Sequence, residues 1–417
     1  MLKIRIHRGA KEIGGNCIEL DADGVRLVLD VGRPLNAAMD AKIPLPSVSG
    51  LDNGDDPTLA GLVISHPHQD HYGLADQVSP KVPIYIGEAA HRILRESAFF
   101  TPSGLDCTPA GFLQNRKPFA VGPFRLTPFL NDHSAFDAYS LLIEAGGRRV
   151  FYTGDIRAHG RKAALFKKLL SSPPKNIHVL LMEGTHVRPD SDGSEKSPTE
   201  DEVEKACVET FKATRGAVLA CYSAQNIDCL VTLYRAAIQS GRDFVMDLYT
   251  ACIAKATGNK SIPQPGWDRV RVYLPNSQRS KVMKHGAFER TDAVKLYRIY
   301  PKELVQRRHE LVVTFRQSLG SEFKSAGLLA EAQVVWSLWD GYLKQPKGKE
   351  FLEFLERNHV PLVHHHSSGH ASIEDLKKLV TALNPGCVVP IHSFATDRFA
   401  KFFPRVTQHA DGEWWEG

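Results

Sequence analysis

The sequence predicts an α/β protein in two parts, because two kinds of pattern follow one another along the chain. Up to about residue 182, short apolar runs are separated by tight turns, which is typical of strands. Beyond a polar stretch at residues 188–199, apolar runs alternate with helix-like segments, which favours a parallel sheet covered by helices. The polar stretch carries Pro, Asp, Ser and Gly and is interpreted as a boundary.

The individual elements can be predicted in order. In the first part, strands are expected at residues 25–29, 82–86 and 124–129, followed by a hairpin from residue 140 to residue 152. In the second part, we expect helices at residues 200–213 and 226–239 and strands at residues 217–220 and 244–247. This order of strands and helices implies a parallel α/β sheet.

Composition is that of a folded globular protein. The chain has 417 residues, 42% hydrophobic and 24% charged, enough for two sizeable cores. No segment has the apolar length to span a bilayer and the start lacks a signal-peptide core, so we expect a cytoplasmic protein without a membrane partner. Seven cysteines without a Cys-x-x-Cys pair indicate neither a disulfide framework nor a cysteine zinc ribbon. The net charge of +5 permits an anionic partner.

The most informative motif is a group of metal-ligand side chains directly behind the apolar run Leu62-Val63-Ile64. It consists of His66, His68, Asp70 and His71. Neutral imidazole suits zinc and similar divalent ions, and the carboxylate adds negative charge for a second cation. A lone histidine would more often be structural, but four ligands within six residues favour a metal site at a strand end.

This His-x-His-x-Asp-His pattern resembles the signature of the metallo-β-lactamase fold, and three further motifs of that fold follow in order. They are Leu27 to Gly32, Asp132-His133-Ser134 and Tyr152-Thr153-Gly154-Asp155. The resemblance implies that Asp30 orients a ligand histidine from outside the metal site, that His133 is a further ligand, and that Asp155 bridges two metals.

Later motifs resemble the β-CASP branch of nucleic-acid-processing enzymes. They are Met182-Glu183-Gly184-Thr185-His186, Ser368-Gly369-His370-Ala371 and Val389-Pro390-Ile391-His392-Ser393. The resemblance implies that Glu183 interacts with His370, that His370 acts on the scissile phosphate or the leaving group, and that His392 completes the second metal site. It also implies a metallo-β-lactamase αββα sandwich at residues 1–195 and 359–417, with an inserted β-CASP α/β domain at residues 196–358.

The resemblance implies two divalent metal ions, expected to be Zn²⁺ with Mn²⁺ as a competitor. One site would use His66, His68 and His133, the other Asp70, His71 and His392, with Asp155 between them. Two such ions can share a hydroxide and polarise the phosphoryl oxygen that it attacks. The expected catalytic residues are Asp70, Glu183 and His370, and no serine or cysteine nucleophile is needed.

Phosphate contacts are expected near His370. Ser372-Ile373-Glu374-Asp375 has the form of a capping box, so a helix should begin there with amides available to a phosphate. The candidate phosphate-binding residues are Ser368, Gly369, Ala371 and Ser372. Ordinary helix capping explains the same pattern, and both roles can hold together.

The expected partner is single-stranded nucleic acid, with RNA favoured by analogy. A basic stretch interleaved with aromatic residues suits phosphate pairing and base stacking, although acidic residues dilute it and a solvated helix face is an alternative. It comprises Arg279, Lys281, Lys284, Arg290, Lys295, Arg298, Lys302, Arg307 and Arg308, with Phe288, Tyr297 and Tyr300. The internal triple His364-His365-His366 is interpreted as structural.

Alternative functions remain open at this point. The same metals could serve a small-molecule hydrolase acting on a lactone, thioester or cyclic nucleotide, or a DNA nuclease. A metal-free binding subunit is disfavoured because every ligand position is filled. Cys221 to Asn226 lacks the arginine found at this place in many β-CASP nucleases, and Asp247 lacks the usual Ser-Pro after it, so substrate contacts can differ. Assembly into a homo-oligomer is also left open.

Overall fold

The computed structural model describes residues 1–37 and 41–417 and divides the chain into two compact units. The first unit comprises Met1–Ser197 and Gly369–Gly417, and the second comprises Pro198–Ser368. The chain therefore leaves the first unit once and returns to it once. Within the described residues, every helix is too short or too polar to cross a membrane, and all seven cysteines are free thiols.

The first unit contains two sheets. Among the described residues, the first sheet has the order β19-β1-β2-β3-β4-β5-β6. Its strands are β1 (Leu2–Arg8), β2 (Cys17–Ala22), β3 (Val25–Leu29), β4 (Leu59–Val63), β5 (Ile84–Gly87), β6 (Gly111–Leu113) and β19 (Trp414–Glu416). Pairing is antiparallel from β19 to β3 and parallel from β3 to β6.

The second sheet has the order β18-β11-β10-β9-β8-β7 within the described chain. Its strands are β7 (Phe119–Val121), β8 (Phe124–Leu130), β9 (Tyr139–Ala145), β10 (Arg148–Tyr152), β11 (Val179–Glu183) and β18 (Cys387–Ile391). The strands β10, β11 and β18 are parallel, so their carboxyl ends meet at one edge of the sheet.

The two sheets pack face to face around a shared apolar core, in which Leu20 and Leu29 of the first sheet join Ile143 and Leu181 of the second. Helices cover both outer faces through two further apolar clusters. The helices of this unit are α1 (Gln69–Tyr72), α2 (Glu88–Phe100), α3 (Ala163–Ser171), α13 (Ile373–Leu383) and α14 (Phe399–Phe402). The result is an αββα sandwich, as the sequence predicts.

The second unit is built on a parallel sheet whose described strands have the order β14-β13-β15-β12-β16-β17. They are β12 (Val218–Cys221), β13 (Asp243–Asp247), β14 (Val270–Tyr273), β15 (Leu311–Thr314), β16 (Gln333–Trp336) and β17 (Leu362–His364). The helices are α4 (Glu200–Ala213), α5 (Ile227–Gln239), α6 (Leu248–Ala256), α7 (Asn276–His285), α8 (Glu289–Asp292), α9 (Pro301–Gln306), α10 (Gly320–Ala326), α11 (Gly341–Lys344) and α12 (Pro346–Arg357).

The structure and the sequence prediction differ over where the chain returns to the first unit. The predicted return lies at residue 359, but β17 pairs in parallel with β16 and so extends the second sheet. The second unit accordingly ends at Ser368. The first boundary lies between Ser197 and Pro198, two residues from the predicted one, and the capping box of Thr199 and Glu202 starts α4 just after it.

Candidate metal centre and active site

Strand ends position the candidate metal ligands. His66 follows β4, Asp155 follows β10 and His392 follows β18 directly. Polar side chains that follow buried strands in this way reach the edge of a sheet without interrupting its core. The structure thus brings together at one place residues that are up to 326 positions apart, from His66 to His392.

Two groups of metal-ligand side chains share one carboxylate. The first group consists of His66, His68, His133 and Asp155, and the second of Asp70, His71, Asp155 and His392. In each group, one ligand atom from every residue lies within 4.8 Å of the others. All seven residues that the sequence proposed as ligands therefore lie in these groups, divided between them as proposed.

The carboxylate of Asp155 presents one oxygen to each group. Its Oδ2 lies 3.6 Å from Nε2 of His66 and 3.9 Å from Nε2 of His133. Its Oδ1 lies 3.2 Å from Nε2 of His71 and 3.8 Å from Nε2 of His392. A carboxylate in this position can act as a ligand in both groups at once.

Several ligand atoms are buried without a hydrogen bond in the described residues. They include Nε2 of His66, Nε2 of His392 and Oδ2 of Asp155. Buried polar atoms normally have a partner because leaving one unsatisfied costs about 1–3 kcal/mol. Imidazole nitrogens and carboxylate oxygens that converge in this way fit divalent transition metals, and one ion in each group would satisfy these atoms.

Asp30 orients one of the ligand histidines. Its Oδ2 lies 2.7 Å from Nδ1 of His71 and accepts a hydrogen bond from the hydroxyl of Tyr152, while its Oδ1 accepts from the Ser65 amide at 2.7 Å. When Nδ1 of His71 donates to this carboxylate, its Nε2 keeps a lone pair for a metal. Although burial opposes protonation, the charges of Asp155 and Asp30 hold the pKa of His71 well above its usual range in the metal-free site.

One further histidine is held in the same way. Nδ1 of His133 lies 2.5 Å from the carbonyl oxygen of Gly369, and donation to that oxygen selects the tautomer that binds a metal through Nε2. Nδ1 of His392 lies 3.1 Å from Oδ1 of Asn16 and 3.3 Å from the Gly14 amide, so these two neighbours hold the ring in position. Sequence reasoning missed Asn16 and the hydroxyl of Tyr152, since neither spacing nor residue type distinguishes them from ordinary polar residues.

The backbone is strained at two site residues. Asp30 has a φ of 57° and His392 a φ of 52°, in the left-handed region that residues other than glycine rarely adopt. Such conformations persist when surrounding contacts hold them, and they cluster at functional sites. Each of these residues directly follows a strand, so the turn aims its side chain into the site.

His370 and Glu183 form a pair beside the metal ligands. Nδ1 of His370 lies 3.2 Å from Oε2 of Glu183 and 3.7 Å from Oδ2 of Asp155. Glu183 is fully buried at the end of β11. Burial disfavours the imidazolium, but the charges of Glu183 and Asp155 outweigh it and raise the pKa of His370 to about 9 in the metal-free site.

Comparison with known proteins agrees with this geometry. A family model described as the beta-lactamase superfamily domain matches residues 35–219. Ribonuclease J of Helicobacter pylori is 22% identical over 94% of this chain, and ribonuclease J of Pyrococcus abyssi is 25% identical over 94% of it. These comparisons support a metallo-β-lactamase fold in this chain and, within it, the β-CASP, ribonuclease J-like branch.

The chain covers different shares of these two relatives. It spans 56% of the length of the Helicobacter relative and 90% of the length of the Pyrococcus relative. A solved structure of a protein of unknown function from Enterococcus faecalis V583 has a TM-score of 0.78 and 20% identity, and the match covers 99% of both chains. That likeness confirms the predicted fold over the whole length of the chain.

The candidate phosphate-binding residues take part in contacts that build the site. The amide of Ala371 lies 3.4 Å from Oε1 of Glu183, to which it donates, and the carbonyl of Gly369 faces His133. The Ser372 hydroxyl accepts from the Asp375 amide at 3.1 Å and caps α13. The helix start is therefore where the sequence predicts it, and phosphate binding by Ser368 and its neighbours stays a prediction.

Part of the basic stretch is engaged in ion pairs. Arg307 contacts the carboxylates of Asp243 at 2.8 Å, Glu310 at 2.8 Å and Glu303 at 3.3 Å. Because three acidic groups surround this guanidinium, its charge is already balanced within the second unit.

The histidine triple His364-His365-His366 also has contacts within the second unit, since Nε2 of His365 lies 2.8 Å from the Thr210 hydroxyl.

Proposed function

We propose that the protein is a metal-dependent phosphodiesterase that hydrolyses single-stranded nucleic acid, with RNA as the favoured substrate. The observation that carries the proposal is the placement of Asp155 between two groups of metal ligands, with the His370–Glu183 pair 3.7 Å away. The two ribonuclease J relatives described above support RNA as the polymer.

The seven ligand residues would hold two divalent ions, with zinc preferred and manganese as a competitor. When bound, such ions lower the pKa of water and offset the negative charge that develops on phosphoryl oxygens. The chain contributes the ligand geometry. Asp30 and Gly369 hold His71 and His133 in the tautomer that a metal requires, and Asn16 contacts the ring of His392.

His370 is placed to act on the phosphodiester itself. Glu183 and the Thr185 hydroxyl both lie near its Nδ1, at 3.2 and 3.1 Å, and orient the ring. From there the imidazole can donate a hydrogen bond to the scissile phosphate or a proton to the departing oxygen. Glu183 keeps the ring oriented and favours its protonated form.

The proposal is tested by incubating metal-loaded protein with 5′-labelled and 3′-labelled RNA and with single-stranded DNA of the same sequence. We expect RNA to be shortened faster than DNA, and the two label positions give polarity and distinguish endonucleolytic from exonucleolytic cleavage. Loss of cleavage in Asp155→Ala, with cleavage retained in His309→Ala, assigns the activity to the metal centre. His309 is 61% exposed and lies in the second unit.

Two outcomes contradict the proposal. Preferential cleavage of DNA would contradict RNA as the favoured substrate while leaving the phosphodiesterase assignment intact. Failure of folded, metal-loaded protein to cleave either polymer, together with turnover of a lactone, a thioester or a cyclic nucleotide, would overturn the nuclease assignment.

A further inference from the structure

The second unit contains an open cleft of about 290 Å³ at the carboxyl ends of its strands. Its lining comes from residues 221–223 after β12, residues 315–317 after β15, Trp336 at the end of β16, and the segment from Leu338 to Phe351. We call it the strand-end cleft. None of its lining residues belongs to the metal centre.

The strand order explains why a cleft forms at this point. The strands β12 and β15 are neighbours, but from β12 the chain goes on to β13 on one side, whereas from β15 it goes on to β16 on the other side. The connection that follows β12 and the connection that follows β15 therefore leave the sheet in opposite directions, which separates them from each other. In open α/β sheets, ligands bind in the crevice that such a reversal creates.

The lining is rich in aromatic rings. Trp336 and Phe351 are buried against each other with ring centroids 5.7 Å apart, and Tyr342 is 41% exposed at the rim. Trp339, which is 44% exposed, lies edge to face with Tyr342 at 5.5 Å. Exposed aromatic rings at the mouth of a cleft offer faces on which a planar base can stack, a contact worth about 1–3 kcal/mol per base.

The charged side chains of the cleft are cationic. Arg316 lines the cleft, forms an ion pair with Asp247 and lies 5.3 Å from the ring of Tyr249, so its position is fixed before a ligand arrives. Lys347, which also lines the cleft, is exposed and has no ion pair in the part of the chain that the structure describes. The described lining contains no Asp or Glu side chain, so an anionic group would not be repelled there.

We propose that the strand-end cleft binds one nucleotide of a single-stranded nucleic acid, with the base stacked on Tyr342 and the phosphate paired with Lys347. A cleft of about 290 Å³ is close to the lower end of small-molecule sites, which is roughly 300 Å³, and so suits one nucleotide better than a longer segment. This inference deepens the proposed function and rests on it. It assigns contacts with the polymer to this cleft. In the basic stretch, by contrast, the guanidinium of Arg307 already forms ion pairs with three carboxylates of the second unit.

The test is a titration of the full-length, metal-loaded protein with adenosine 5′-monophosphate and with a hexaadenylate whose linkages are phosphorothioates that resist cleavage, followed by tryptophan fluorescence. Trp336 lines the cleft and Trp339 packs against Tyr342 of the lining, so both should report occupation of the cleft. We expect Tyr342→Ala to weaken binding of both probes about tenfold, the loss of one base stack. Lys347→Gln should weaken binding of hexaadenylate and lower its log-log salt slope by roughly 0.7.

Two matched controls separate the cleft from general surface effects. Phe112→Ala removes an aromatic ring that is 43% exposed in the first unit, and Lys205→Gln removes an exposed cation from α4. Both should bind the probes like the parent protein. Affinities in Tyr342→Ala and Lys347→Gln that match these controls would overturn the proposal, as would displacement of the nucleotide by inorganic phosphate at equal concentration.

RNA cleavage measured on the same preparations distinguishes the two proposals. Cleavage by the parent protein with no effect of either cleft variant on probe binding contradicts the cleft alone. Probe binding that depends on the cleft, in a protein that cleaves no polymer, contradicts the proposed function alone.

Discussion

At the residue scale, the site depends on how each side chain is held as much as on which side chain it is. Asp155 can serve two groups because each of its oxygens lies near a different group, and His71 and His133 can bind through Nε2 because Nδ1 of each has an oxygen partner. The motifs predict these ligands. They do not predict Asn16, whose contact with His392 joins residues 376 positions apart.

His370→Ala should separate catalysis from metal binding. We expect turnover of RNA to fall by about 10² to 10⁴, the usual contribution of a positioned acid or base, with metal content unchanged because His370 belongs to neither ligand group. Single-turnover kinetics and metal analysis on one preparation measure both, with His309→Ala as the control. Unchanged turnover would remove His370 from the mechanism, and loss of metal would make it a ligand.

Glu19→Gln should lower stability in a way that depends on pH. Burial raises the cost of ionising Glu19, but hydrogen bonds from His7 and Arg26 more than offset it and hold the pKa below its ordinary value of 4.5. A depressed pKa in the folded state stabilises the protein above pH 4.5, and this contribution is lost as the pH falls through the folded-state pKa.

The expected destabilisation at pH 7 is about 3 kcal/mol, because Arg5, His7 and Arg26 lose their shared carboxylate. Urea unfolding of both proteins at pH 7 and at acidic pH measures it, and the difference between them should shrink on acidification. If the difference in unfolding free energy between the two proteins is the same at pH 7 and at acidic pH, the ionised carboxylate of Glu19 does not stabilise the fold through these ion pairs.

At the element scale, each element that we predict from local signals in the sequence starts within about two residues of the observed one. The predicted strand at residues 25–29 and helix at residues 200–213 agree with β3 and α4. The predicted strand at residues 82–86 begins two residues later as β5, since Pro83 has no amide to donate to a ladder. The helix predicted from residue 226 begins at Ile227, because the Asn226 side chain caps it.

Gly32→Ala should disturb the segment that carries two metal ligands. A Cβ at Gly32 would lie 1.7 Å from the carbonyl oxygen of Asp70, and a backbone atom cannot move aside without shifting Asp70 and His71. We expect stability to fall by about 1–3 kcal/mol and metal to be lost mainly from the second group. Gly24→Ala is the control for metal content: its φ of 85° strains any side chain and costs some stability, but its Cβ would meet nothing within 4 Å, so metal should be retained in full. Thermal unfolding and metal analysis measure both effects, and full metal content in Gly32→Ala would contradict this account of the close approach.

At the scale of the whole molecule, the order of the motifs predicts the fold, but some contacts lie beyond any sequence pattern. The αββα sandwich is implied by the resemblance of the motifs to those of the metallo-β-lactamase fold. The return at Ser368 could not be placed, because β17 is a short apolar run whose pairing with β16 depends on the rest of the sheet. The strand-end cleft likewise depends on strand order, which the alternation of strands and helices leaves open.

The most direct test of the account is the metal content of the purified chain and of two variants. If Asp155 joins two groups of ligands, the parent protein should contain close to two equivalents of transition metal, Asp155→Ala close to none, and His392→Ala about one. Inductively coupled plasma mass spectrometry on protein of known concentration gives these values. A folded protein that cleaves RNA without metal, or equal metal loss in the two variants, would contradict the shared carboxylate at the centre of the proposed site.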